Sequence, residues 1–183
     1  MTNSQAPADE TAPTGTARGG LTRQEFFAEV IDRLRGNLPS ELAGFQHKSN
    51  QSLLKIYYAN ERVHYEVWLN SYQRTAEIGL HFEDGPISTA AYLTFFDRVI
   101  VELKDKLGTE IELERWTQSW GHLYEMTPLT TLSERLADRT ARRLAELIQL
   151  LQPLVDEADV PPERSIQPSP AFDAARRWRR GKR

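Results

Sequence analysis

Two histidines and three glutamates are the residues of this chain best suited to chemistry. His64 and His81 fall on two neighbouring predicted strands, at positions that would face each other. Glu66, Glu77 and Glu83 have the same strand parity and lie nearby. Two imidazoles and a carboxylate form a donor set suited to zinc or a similar ion. Ligands must converge on an ion, however, whereas neighbouring side chains on a flat sheet face point in parallel.

We therefore expect no bound metal, no cofactor and no catalytic residue, and we interpret the protein as a non-enzyme. A solvated or partner-covered sheet face is the expectation for His64 and His81. A metal-dependent enzyme that uses this histidine face is kept as an alternative.

Three amphipathic strands position these residues. They read LLKIYYA, RVHYEVWLN and TAEIGLHFE, and apolar residues alternate with polar ones in each. Period-two alternation predicts an antiparallel meander with one buried face. Turns at Asn60-Glu61 and Tyr72-Gln73 pair each apolar residue with an apolar partner, which fixes the face that is buried.

Residues typical of helix caps and helix ends predict the surrounding elements. Thr22 and Glu25 form a capping box for a first helix. A second helix is expected to be capped near Ser88 and to end at Gly108. Two strands follow, at residues 110–116 and 120–126, before the last helix.

The last helix is predicted to begin at a capping box of Thr131 and Glu134 and to kink or finish at Pro153. The element order is then α-βββ-α-ββ-α. This order predicts an α+β fold with a five-stranded antiparallel sheet and helices packed on one face.

Composition divides the chain into a domain and two tails. Residues 1–20 are predicted to be a disordered N-terminal tail, residues 21–155 a single α+β domain, and residues 156–183 a proline-containing linker with a basic end. The chain of 183 residues has 39% hydrophobic and 27% charged residues and no cysteine, which excludes disulfides and thiolate metal sites. No apolar run is long enough to cross a membrane. We expect a cytoplasmic protein with no membrane partner.

The final eight residues, RRWRRGKR, are strongly basic. The formal charge of the whole chain is −3, so this segment contrasts with an acidic domain. A solubilising terminus is one interpretation, and weak, non-specific binding of nucleic acid or an acidic partner is the other. The residues concerned are Arg176, Arg177, Trp178, Arg179, Arg180, Lys182 and Arg183.

Part of the chain resembles a known but uncharacterised bacterial domain. The resemblance lies within residues 76–126, in EIGLHFEDG, FFDRVIVELKDKLGTEIELERW and GHLYEM. The matching groups are Leu107-Gly108 and Glu114-Arg115-Trp116. Members of that domain often lie beside restriction-type nuclease domains. The resemblance implies a DNA-associated accessory protein of a bacterial restriction or defence system, and this is a second alternative.

The element order over residues 21–155 also resembles the fold of type III secretion chaperones and related adaptors. Those proteins are mostly dimers that bind protein segments, so the resemblance implies a protein partner and a homodimer. Our leading hypothesis is a non-catalytic, protein-binding adaptor that self-associates through the outer sheet face, because aromatic residues there often mark an interface. The predicted partner-binding residues are Leu53, Tyr57, His64, Trp68 and His81.

Overall fold

The computed structural model describes residues 20–162, which form four helices and one antiparallel sheet of six strands. The helices are α1 (Arg23–Asn37), α2 (Pro86–Asp97), α3 (Ile100–Leu107) and α4 (Glu134–Ala158). The strands are β1 (Gln46–Ser49), β2 (Leu53–Tyr57), β3 (Val63–Asn70), β4 (Thr75–Phe82), β5 (Glu112–Arg115) and β6 (Gly121–Pro128). Their order across the sheet is β1-β2-β3-β4-β6-β5. The predicted α+β class with an antiparallel sheet is confirmed.

The register predicted for the meander is also confirmed. Ile56 of β2 lies opposite Tyr65 of β3, and Val67 of β3 lies opposite Ile78 of β4. On the other face, His64 lies opposite His81. The apolar alternation set this pairing, because a slip of one residue would expose the entire buried set.

The expectation of five strands was wrong, because the sheet has an additional edge strand. β1 pairs with β2 and carries the sequence QHKS, all of it exposed. A short polar edge strand has no alternation to reveal it, and its polar side chains protect the sheet from pairing with another chain.

The long second helix that the sequence predicted is two helices. α2 begins at Pro86, with Gly85 at the cap position, so Ser88 lies inside the helix and is buried. The chain leaves helical geometry at Val99, where φ is −116° and ψ is 6°, and α3 then runs to Leu107. The apolar stripe continues across this break, which is why periodicity alone did not reveal it.

Helix α4 differs from its prediction at both ends. Ser133, rather than Thr131, caps it, and the Ser133 side chain accepts a hydrogen bond from the Leu136 amide. The helix continues through Pro153 to Ala158, past the domain boundary expected at residue 155. Pro153 is exposed and costs one helical hydrogen bond, whereas the buried apolar residues around it hold the helix together.

The core lies between the helices and one face of the sheet. Tyr65 and Phe82 of the sheet are buried with Leu144 and Ile148 of α4. Phe82 stacks on Tyr92 of α2, with ring centroids 4.9 Å apart. The opposite face of the sheet carries a polar group of histidines and glutamates together with several aromatic and apolar side chains. No helix within residues 20–162 is long and apolar enough to span a membrane.

Candidate metal centre

Three histidines lie side by side on the sheet face opposite the core. His64, His81 and His122 occupy adjacent strands, since His64 pairs with His81 and His81 pairs with His122. They are three of the four histidines in the chain. Three carboxylates and one ammonium surround them, and we call the whole group the sheet-face cluster: Lys55, His64, Glu66, Glu77, His81, Glu83 and His122.

These imidazoles are removed from solvent. His64 is 0% exposed, His81 3% and His122 5%. Burying polar nitrogen without a partner costs free energy, so buried histidines are normally hydrogen-bonded or bound to metal. Their contacts therefore decide what the site can do.

The carboxylate of Glu77 contacts two of the three imidazoles. Its Oε1 atom lies 3.0 Å from His122 Nδ1 and 3.1 Å from His81 Nε2. The contact with His81 crosses Gly79, which lies between the two residues on the same face of β4. Because Gly79 has no side chain, the carboxylate and the ring can approach above it.

The nitrogen atoms of the cluster are only partly satisfied. Within residues 20–162, His64 Nδ1, His81 Nε2 and His122 Nε2 are buried and make no hydrogen bond. His81 Nε2 is close enough to Glu77 to count as an ion pair, yet the two are not aligned for a hydrogen bond. A short, misaligned nitrogen–oxygen contact is what two ligands of one ion would show, because both would point at the ion rather than at each other.

The spacing of Glu77, His81 and His122 fits a metal ion. One ligand atom from each lies within 4.8 Å of the others. Ligand atoms around a tetrahedral ion with bonds of about 2.0–2.1 Å are roughly 3.3 Å apart. The two contacts at Glu77, of 3.0 and 3.1 Å, are close to that separation.

A second group of potential ligands overlaps the first at His81. His64, Glu66, His81 and Glu83 also bring one ligand atom each within 4.8 Å. Here the Glu66 carboxylate contacts His64 Nε2 at 3.2 Å. Lys55 enters this group as well, with its Nζ atom 2.9 Å from Glu83 and 3.7 Å from Glu66.

Electrostatic interactions keep the two best-buried carboxylates of the cluster, Glu66 and Glu77, ionised. Burial alone would raise the pKa of Glu77, but the hydrogen bond with His122 and the close contact with His81 lower it to about 2. Burial likewise opposes ionisation of Glu66, and the hydrogen bond from His64 with nearby positive charge lowers its pKa below the usual range. Burial lowers the pKa of His64, so that this ring is neutral at pH 7. Ionised carboxylates and neutral imidazoles are the protonation states that bind metal.

Aromatic rings line the side of the cluster next to β5. His122 stacks on Tyr124, with centroids 3.9 Å apart, and on Trp116, with centroids 5.9 Å apart. The Tyr124 hydroxyl donates to Glu114, and burial with this carboxylate raises the pKa of Tyr124 to about 12. Trp116 is 56% exposed, so it covers the cluster instead of joining the core.

The structure brings together some of the predicted site residues and separates others. His64 and His81 stack at 5.5 Å, and their ligand atoms converge with carboxylates, contrary to our expectation of parallel side chains. They are buried, as is Tyr57, so none of the three offers an open contact surface in this conformation. Leu53 and Trp68 are partly exposed, farther along the same face.

Sequence reasoning missed His122 and its neighbours. Predicting that a strand would cover residues 120–126 did not reveal that this strand pairs directly with β4. The sequence carried one signal for His122. His122 and Tyr124 flank the apolar Leu123, so both are expected on the face of the strand opposite Leu123.

The basic residues at 176–183 lie outside the described residues. Nucleic-acid binding by that tail, and with it the accessory-protein hypothesis, stays a prediction. No protein-family model, curated protein or solved structure matches this chain.

Proposed function

We propose that the protein binds a divalent transition-metal ion on its sheet face, through Glu77, His81 and His122. One observation carries the proposal. Glu77 Oε1 lies within 3.1 Å of a nitrogen of each histidine, and the His81 nitrogen is buried without a hydrogen bond. A cation between these atoms would satisfy the histidine nitrogens and balance the ionised carboxylate.

The donor set defines the class of metal. Imidazole nitrogen with carboxylate oxygen suits zinc and its neighbours in the first transition row, whereas magnesium and calcium prefer oxygen ligands alone. The chain has no cysteine, so no thiolate from the chain is available to select a softer ion. Zinc is the natural first probe.

The number of ligands bears on what the bound ion would do. Structural zinc sites usually have four protein ligands, whereas catalytic sites have three and hold water or substrate in the fourth position. Glu77, His81 and His122 are three. This set supports a metal-dependent reaction, and the half-exposed Glu114 and Trp116 beside His122 mark the side from which a small molecule would enter.

Metal analysis of the full chain, purified without a histidine tag, tests the proposal. After zinc loading and dialysis, we expect about one equivalent of zinc per chain. His81→Gln should reduce the affinity for zinc at least ten-fold, because it removes one of the three proposed ligands. His47→Gln is the matched control, because His47 is exposed on β1, outside the cluster.

Fluorescence supplies an independent measurement. Trp116 stacks on His122, so loading with copper(II) or nickel(II), which quench nearby indoles, should lower tryptophan emission in the wild type and in His47→Gln. Trp116→Phe should lose part of that decrease while it still binds metal, because Trp68, which lies opposite Glu77, remains near the ion. A wild-type protein that retains no zinc and shows no quenching would overturn the proposal.

A protein-binding adaptor is the second candidate, and one observation favours it. Leu53, Trp68 and Met126 lie in one row across the sheet face, and Glu77 of the cluster occupies the position between Trp68 and Met126. Met126 is 42% exposed, and the other two are partly exposed. A row of exposed apolar side chains beside a polar cluster is a common feature of interfaces between protein chains.

A further inference from the structure

We infer that Lys55 restricts the sheet-face cluster to one metal ion, by holding its ammonium where a second ion would bind. This inference rests on the proposed metal binding at Glu77, His81 and His122. It concerns the other ligand group, His64, Glu66, His81 and Glu83, which has the donor atoms for a site of its own.

The position of Lys55 follows from the register of the sheet. Lys55 of β2 lies opposite Glu66 of β3, so its side chain projects onto the cluster face. Its Nζ atom is 2.9 Å from Glu83 Oε2 and 3.7 Å from Glu66 Oε2. The lysine therefore contacts both carboxylates of the second group.

These two contacts use the oxygens that a metal would need. Glu66 Oε2 also lies 3.2 Å from His64 Nε2, so the ammonium and the imidazole share one carboxylate oxygen. The Lys55 side chain is 25% exposed and that of Glu66 only 9%. Little water reaches the pair to screen repulsion between an ammonium and an incoming dication.

The charge balance of the cluster also favours a single bound metal ion. With neutral imidazoles, Glu66, Glu77 and Glu83 contribute three negative charges and Lys55 one positive charge, a net of −2. One divalent ion neutralises the cluster completely. A second would leave a buried net positive charge, which is strongly unfavourable. Without the lysine, three carboxylates would accommodate two ions with a net charge of only +1.

The structure thus assigns two different occupants to two adjacent ligand groups. An external dication belongs at Glu77, His81 and His122, where no lysine contact is found among residues 20–162. The tethered ammonium of Lys55 belongs at Glu66 and Glu83. Because His81 belongs to both groups, two ions there would lie close together, as in two-metal sites whose ions are about 3.5–4 Å apart.

The test compares zinc stoichiometry in full-length Lys55→Met and wild type. Methionine keeps the length of the lysine stem and removes the charge. We expect the wild type to bind about one zinc and Lys55→Met about two. Lys48→Met is the matched control. Lys48 lies opposite Lys55 on β1 but pairs with Glu61, which is not a carboxylate of the cluster, so this variant should still bind about one zinc.

A double variant shows where the additional ion binds. Adding His64→Gln to Lys55→Met should return the stoichiometry to about one, because His64 belongs only to the second group. Cobalt(II) absorption provides a second measurement, with a doubled d–d signal in Lys55→Met. Circular dichroism checks the fold, and Lys55→Gln replaces Lys55→Met if the methionine variant does not fold.

The outcomes separate this inference from the function on which it rests. A wild type that binds one ion, together with a Lys55→Met variant that also binds one, overturns the role of Lys55 and leaves the proposed function intact. A wild type that binds two ions overturns it as well. A wild type that binds none removes the proposed function, and if Lys55→Met then binds one ion, the lysine blocks the second group independently.

Discussion

Glu77 and His122 are 45 residues apart in the chain, yet Glu77 Oε1 and His122 Nδ1 are in contact at 3.0 Å. The contact exists because β6 lies between the edge strand β5 and β4 and pairs with β4, which places His122 beside His81. The proposed metal ligands therefore converge only in the folded sheet. Binding energy at such a site is also folding energy, so zinc should raise the thermal midpoint of the wild type.

Gly79→Ala should destabilise the protein and weaken metal binding. A Cβ atom at this position would lie 2.5 Å from the Leu123 carbonyl oxygen and 2.7 Å from Tyr124 Cα. These are backbone atoms of the paired strand, so the strands must separate. We expect a loss of about 2–4 kcal/mol in the free energy of unfolding, measured by urea denaturation. The methyl group would also enter the space across which Glu77 and His81 approach each other.

Gly36→Ala is the control for that experiment. Gly36 lies inside α1, and nothing is within 4 Å of a Cβ placed there. Replacing a helical glycine with alanine should stabilise the protein by about 0.5–1 kcal/mol. If both alanine variants had the same stability as the wild type, the close approach at Gly79 would not constrain the sheet.

The three-stranded meander was predictable because its apolar and polar residues alternate without interruption, so that only one register buries all the apolar residues on the same face. Ile56, Tyr65 and Leu80 could only be buried together in the register observed. The composition of the candidate site was harder to predict from the sequence. Parity placed His64 opposite His81, but local pattern carries no information on which distant strand becomes the next neighbour of β4, and that choice brought in His122.

The convergence of the cluster was missed for a different reason. A flat sheet would hold Glu77 and His81 in parallel, and the absence of a side chain at Gly79 allows them to approach each other. A glycine in a strand between two polar residues marks a place where other groups approach closely. The sequence EIGLHFE carries that signal, because its glycine, Gly79, lies between Glu77 and His81 on one face of the strand.

The stability of the metal-free protein should fall as the pH decreases from neutral. Burial lowers the pKa of His64 from its ordinary 6.5, so the unfolded chain takes up this proton first and stability is lost below about pH 6.5. The pKa of Glu77 is about 2 in the fold, compared with 4.5 when unperturbed. Its contribution is present above pH 4.5 and is lost as the pH falls toward 2.

Denaturation by urea at a series of pH values measures both contributions. His64→Gln should flatten the decrease that begins below about pH 6.5. Glu77→Gln should flatten the decrease below pH 4.5, by about 1–3 kcal/mol. Glu66, Lys55 and His81 surround His64, so some slope will remain in the first variant. His47→Gln should keep the wild-type profile. A His64→Gln profile that coincides with the wild type would mean that this ring titrates equally in both states.

The adaptor candidate makes a prediction about self-association. If the row of Leu53, Trp68 and Met126 is an interface between two copies, the full chain should be dimeric in light scattering at tens of micromolar. Trp68→Glu should then produce folded monomers, because two buried carboxylates would face each other across the interface. Tyr72→Glu is the matched control, since Tyr72 is 97% exposed in the turn between β3 and β4. It should leave the dimer intact. A monomeric wild type, or a Trp68→Glu protein that remains dimeric, would exclude self-association through this row.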